Sequence, residues 1–89
     1  MATLITPNGK STNVTPANNK FNYKELNKLV GGYIEIIRLN EDLVMVINEE
    51  GKLQNLPYNA TATMYYQNYV SPYDCIVGNA VIMSNTEID

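Results

Sequence analysis

Tyr33-Ile34-Glu35-Ile36-Ile37-Arg38-Leu39, then Asn40-Glu41-Asp42, then Leu43-Val44-Met45-Val46-Ile47 is the stretch that decides the fold. Both apolar runs are rich in β-branched side chains, which suit a pleated surface better than a helix. The second run does not alternate with polar residues, the pattern of a strand covered on both faces. A polar break of three residues between two such runs predicts an antiparallel hairpin. That hairpin is expected at the centre of the sheet.

Reading outward, Asn22 is placed to cap a helix from about Asn22 to Val30, with Glu25 in the capping-box position. Leu26, Leu29 and Val30 share one face, with Tyr23 a turn earlier, while Lys24 and Lys28 point away. Gly31-Gly32 ends the helix, since glycine accepts the left-handed conformation past the last turn. After the hairpin, Asn48-Glu49-Glu50-Gly51-Lys52 reads as a turn with Gly51 suited to positive φ, and Lys52-Leu53 as the start of a short strand. Leu56-Pro57-Tyr58 stops regular structure. Asn59 then caps a second helix over about Ala60 to Tyr69, with Ala62, Tyr65, Tyr66 and Tyr69 as its face. Cys75-Ile76-Val77 and Ala80-Val81-Ile82-Met83 read as one last strand interrupted at Gly78-Asn79, or as a tight hairpin there. At the other end, Thr3 to Thr6 and Ser11 to Thr15 flank Pro7-Asn8-Gly9-Lys10, a hairpin signal. The tail from Ser84 to Asp89 is expected to fray. No repeat and no linker divides the chain. The expectation is one α+β domain over residues 1–89, a small, mostly antiparallel sheet of four to five strands with two short helices. Within it, residues 1–20 form a hairpin or arm and 84–89 the tail.

Composition excludes several function classes. The chain has 89 residues, 45% of them hydrophobic, which is too apolar for obligate disorder. No apolar run approaches the roughly 18 residues of a membrane span, and no basic segment leads an apolar one at the N-terminus, so neither an anchor nor a secretory signal is expected. A cytoplasmic location follows from that reading. The net charge of −3, with Arg38 the single arginine, argues against binding a nucleic acid polymer. Seven tyrosines and thirteen asparagines stand out. They suit a contact surface, where Tyr gives rigid area and Asn adaptable hydrogen bonds. An AT-rich coding genome produces the same bias.

The sequence holds no histidine, so Ser-His and Cys-His dyads are excluded and zinc nearly so. Cys75 opens an apolar run and reads as a buried thiol. Gly31-Gly32 follows a helix, the wrong order for a nucleotide-binding fingerprint. Glu35, Glu49, Glu50 and Asp74 are the remaining candidates for acid–base or Mg²⁺ chemistry, and nothing in their spacing makes them converge. Solvated turn charges are the simpler reading. Glu35 sits among Tyr33, Ile34, Ile36 and Ile37, so it must face solvent or find a donor, for which Lys52 or Arg38 would serve. A helix N-terminus at Asn59, with Tyr58 beside it and Lys52 near in sequence, would suit a phosphate-bearing small molecule. No metal and no cofactor is called for.

Val30-Gly31-Gly32-Tyr33-Ile34-Glu35, then Asn48-Glu49-Glu50-Gly51-Lys52, then Leu56-Pro57-Tyr58-Asn59 and Ala62, with Asp74, Ile76, Gly78 and Ala80, resembles the domain-of-unknown-function family three-eight-four-six. The resemblance covers roughly Asn22 to Met83. It departs at Ala60 and Thr61, where the family often has a basic residue, and at Asn79, where it often has an acid. The resemblance implies a small accessory protein of a phage, plasmid or other mobile element, acting on its host. Two modes of action fit a chain without catalytic machinery. One is an oligomer that sequesters a nucleotide-like host immune signal, with Tyr33, Glu35, Asn48, Glu49, Lys52, Tyr58, Asn59 and Asp74 as candidate ligand contacts. The other is an inhibitor or adaptor that covers a host protein. A nucleotide hydrolase using Glu35, Glu49 and Asp74 is a third reading. The small size also predicts a homo-oligomer, because association buries apolar surface that a monomer of this length leaves in water.

Overall fold

The β-branched runs form strands, as their side chains require, but not in the middle of the sheet. The computed structural model describes residues 2–88. In chain order it contains β1 (Ala2–Ile5), β2 (Ser11–Val14), α1 (Tyr23–Val30), β3 (Ile34–Arg38), β4 (Leu43–Asn48), α2 (Ala60–Tyr69), β5 (Ala80–Ser84) and a 3₁₀ turn over Asn85–Glu87. The strands make one five-stranded sheet in the order β2-β1-β5-β4-β3, and every neighbouring pair is antiparallel. The fold is α+β, with a helix on each face of the sheet.

β4 explains why its sequence lacks alternation. Val44 and Val46 face α1 and pack with Leu26, Val30, Val81 and Met83. Met45 faces the other way and packs with Ala62 and Ile76. Over Val44, Met45 and Val46 both faces are therefore covered, and each of these positions tolerates only an apolar side chain. The β3–β4 hairpin lies at one side of the sheet, with β3 outermost, and β5 holds the centre. Local pattern marked the hairpin but not its place, because sheet order is set by long-range pairing.

α1 follows its local code closely. Asn22 accepts from the Glu25 N–H at 2.9 Å, and the Glu25 carboxylate accepts back from the Asn22 N–H at 3.1 Å. The other Glu25 oxygen takes the Ala17 N–H at 2.8 Å, which ties down the loop before the helix. Those N–H groups hold the Glu25 carboxyl below the usual carboxylate range. The C-terminal end is closed by asparagine amides. Asn79 donates to the Leu29 carbonyl at 3.0 Å and Asn48 to the Val30 carbonyl at 3.3 Å.

α2 is anchored at its first turn, not along a tyrosine stripe. Ala62 and Thr63 are its buried residues, Tyr66 is half-buried, and Tyr65 and Tyr69 face solvent. The reason lies in polar contacts at the N-terminus. Asn59 is fully buried. Its Oδ1 accepts from the Ala62 N–H at 3.0 Å, and its Nδ2 donates to the Ile5 carbonyl at 3.0 Å and the Gly78 carbonyl at 2.9 Å. Thr63 Oγ1 accepts from the Ile76 N–H at 2.8 Å and donates to the Ile76 carbonyl at 3.3 Å. These bonds occupy the backbone that would otherwise extend the last strand. Residues 75–77 accordingly run as an irregular segment, with Val77 bridging Tyr58, and β5 starts only at Ala80.

Three further expectations change. Lys52-Leu53 does not begin a strand; it lies in a turn, with Asn55 at φ +55. Gly51 does not take positive φ. A Cβ there would sit 3.0 Å from Val77 Cγ2 and 3.3 Å from the Asn48 carbonyl, so glycine is needed for close approach. The tail is docked up to Ile88. Asn85 N–H donates to the Asp42 carbonyl at 2.8 Å, Phe21 N–H donates to the Glu87 carbonyl at 2.7 Å, and Ile88 pairs with Phe21. Asp89 lies outside the described residues. The N-terminal hairpin is no arm either, since β1 lies between β2 and β5 inside the sheet.

Replacing Asn59 with Ala removes a helix cap worth about 1 kcal/mol. It also orphans two buried carbonyls at about 1–3 kcal/mol each. Urea denaturation should show a loss of about 3 kcal/mol or more. A loss under about 1 kcal/mol would mean that water satisfies the two carbonyls.

Candidate functional site

Alternation along β3 puts Glu35 and Ile37 on the α2 side, opposite Ile47 and Met45 of β4. α2 covers this face only in part. Between its C-terminal half, the β3 edge and the segment 74–77 lies a groove of about 450 Å³. Ile37, Ile47 and Ile76 give it apolar walls, and Tyr66 and Val70 approach from α2. Glu35, Glu49, Lys52 and Asp74 stand around it, from three separate stretches of chain.

Lys52 and Asp74 meet as an ion pair and hydrogen bond across the groove wall. Asp74 also accepts the Cys75 N–H at 2.8 Å. The Lys52 contact lowers the Asp74 pKa, helped by the Cys75 N–H, and the Asp74 contact raises the Lys52 pKa. Each partner is more than half exposed, so the pair adds little stability. It acts instead as a weak latch. The Asp74 contribution is present above the ordinary aspartate range and is lost as pH falls through its depressed value. The Lys52 contribution is present below the ordinary lysine range and is lost as pH rises through its elevated value.

The candidate ligand contacts therefore divide. Glu35, Glu49, Lys52 and Asp74 share the groove, and Asn48 reaches its edge while remaining buried. The Asn48 amide is committed to structure: Nδ2 donates to Val30 and Gln54, and Oδ1 accepts the Glu50 N–H at 2.8 Å. Tyr33, Tyr58 and Asn59 do not line the groove. Tyr33 and Tyr58 are exposed elsewhere, and Asn59 has no surface to offer a ligand. Glu35 does not take Lys52 as its partner, since Asp74 holds that ammonium, and Arg38 Nη2 turns to the Glu41 carbonyl at 3.4 Å. Among the described residues no three acids or cysteines gather closely enough to hold a metal ion. Cys75 is half-buried at the groove wall and not sealed in the core. The sequence puts Tyr66 on one face of α2 together with Tyr65 and Tyr69 but does not single it out as a groove residue; its spacing of three from the buried Thr63 is the usable signal.

A family model described as a domain of unknown function, DUF3846, matches residues 1–89, the whole chain. The chain belongs to the DUF3846 family. The match takes in the N-terminal hairpin, in keeping with the place of β1 inside the sheet. No curated protein and no solved structure matches this DUF3846 chain. Among its described residues no helix is long and apolar enough to cross a membrane.

An NMR titration of the side-chain carboxyls should place Asp74 below the ordinary aspartate range in the wild type. In Lys52→Ala its midpoint should rise towards that range, and the Glu25 midpoint should stay put. An Asp74 midpoint indifferent to Lys52→Ala would remove the latch.

Proposed function

We propose that this protein acts by binding and not by turnover, as an accessory factor of a phage or mobile element in the host cytoplasm. The ligand proposed is a nucleotide-like host signal, seated in the groove between β3 and α2. The grouping of Glu35, Tyr66 and Lys52 around one cavity carries the reading. Its volume of about 450 Å³ is in the range of small-molecule sites. A carboxylate such as Glu35 accepts the paired N–H donors of a base edge. The Tyr66 ring and the isoleucines offer an apolar seat for a planar ring. Lys52, released from Asp74, supplies an ammonium for a phosphate. This seat differs from the α2 N-terminus, whose cap is spent on Ile5 and Gly78.

One observation favours a second reading, a host protein as the partner. Met64, Tyr65 and Tyr69 of α2 are 63%, 41% and 48% exposed, and Tyr and Met are enriched at protein interfaces. A partner of this kind would co-elute with the chain, and Tyr65→Ser with Tyr69→Ser would release it.

Calorimetry with cyclic and ADP-ribose-type nucleotides separates the two. Wild type should bind one of these, and Glu35→Gln and Lys52→Ala should each weaken binding at least about tenfold. Heat denaturation should return the ligand intact. No heat with any of these nucleotides retires the small-molecule reading, and a product in place of the ligand retires binding without turnover.

A further inference from the structure

β3 ends the sheet, and the phase of its hydrogen bonds says which groups face outward. Glu49 N–H donates to the Tyr33 carbonyl at 2.8 Å, and Leu39 N–H to the Leu43 carbonyl at 2.9 Å. In an antiparallel ladder such narrow pairs recur at every second residue. Tyr33, Glu35, Ile37 and Leu39 therefore turn their N–H and C=O groups to β4. Ile34, Ile36 and Arg38 turn theirs to the free edge. A free strand edge is a template for pairing unless it is blunted by proline, by charged side chains, lysine above all, or by a bulge. The two charges of β3, Glu35 and Arg38, are of opposite sign and flank the apolar Ile36-Ile37. β3 contains neither proline nor lysine, and its register against β4 runs unbroken from Ile34 to Arg38. Ile36, in the middle, is 49% exposed. The opposite edge, β2, is Ser-Thr-Asn-Val, with its first three residues polar and exposed.

We propose that a second copy of this chain adds to the β3 edge, antiparallel and two-fold related, with Ile36 opposite the partner's Ile36. A two-fold axis normal to the sheet keeps every side chain on its own face, so the pairing must centre on a residue. Centring on Ile36 pairs Ile34 with the partner's Arg38 and Arg38 with the partner's Ile34. All three outward-facing residues then find narrow pairs, each exchanging two backbone bonds. Centring on Glu35 would set two carboxylates directly opposite, which repels. Centring on Ile37 would set Ile34 opposite the partner's Asn40, whose N–H already donates to the Leu43 carbonyl at 3.3 Å, so one of the three outward-facing residues would lose its pair. With Ile36 at the centre, Glu35 lies opposite the partner's Ile37 on the α2 face. The second copy thereby adds an apolar side chain to the open side of the groove. The two grooves meet across the axis. This pairing rests on the edge geometry and stands whatever the groove binds.

Sedimentation velocity of the full chain at high micromolar concentration should show a dimer, and Ile36→Lys should weaken association at least about tenfold. Single cysteines at 35, 36 and 37, in a Cys75→Ser background, read the register directly. Opposed Cα atoms in a narrow pair are about 5.5 Å apart, within disulfide reach. Oxidation should cross-link Ile36→Cys strongly, and Glu35→Cys and Ile37→Cys weakly. A wild type that stays monomeric, or cross-linking strongest at 35 or 37, overturns the proposal. Circular dichroism establishes that each variant is folded, and if Ile36→Lys is not, the cysteine series decides alone.

Discussion

One buried amide sets the arrangement on which the rest depends. Asn59 caps α2 with its oxygen and gives both amide hydrogens to backbone carbonyls, one on β1 and one at the turn into β5. Three segments distant in sequence are thereby fixed at one end of the sheet. No other side chain of that size offers an acceptor and two donors without charge. Aspartate would keep the cap but turn the donors into a carboxylate facing two carbonyls. The groove lies beyond that anchor, where Tyr66 and Val70 of the C-terminal part of α2 stand across from β3.

The abundance of asparagine gains a physical reading from this. Asn22 and Asn59 cap helix N-termini, and Asn48 and Asn79 donate to the carbonyls that α1 leaves unpaired at its end. Asn40 holds the β3–β4 turn by accepting the Asp42 and Leu43 N–H groups. These are backbone duties. They leave the tyrosines as the main source of contact surface. Asn79 shows why the residue type matters: an acid in its place could not donate to the Leu29 carbonyl.

The parts of the fold legible in the sequence are those set by nearest neighbours. Asn22 with Glu25 announced α1, and the unbroken run Leu43 to Ile47 announced a strand buried on both faces. What the sequence concealed depends on distant partners. Nothing local says that β3 is an edge, or that Thr63 occupies the backbone of Ile76 and shortens the last strand. Gly51 shows the same limit, since its need for glycine comes from Val77. In the groove, Glu35 was legible as a carboxylate that must face solvent or find a donor, whereas Asp74 read as a solvated turn charge. Their grouping was not legible, and the ammonium expected to serve Glu35 went to the other acid.

The central position of β5 has a further consequence for how the molecule is made. Of the strands, β5 is last in chain order, yet both β1 and β4 need it as their neighbour. During synthesis the two hairpins leave the ribosome with their inner rims unsatisfied, and Val44, Met45 and Val46 wait in water for a cover. Association of the halves must wait until β5 has emerged, and it proceeds through contacts of long sequence separation, the slow kind. Until then the nascent chain carries sticky rims that a chaperone would have reason to shield.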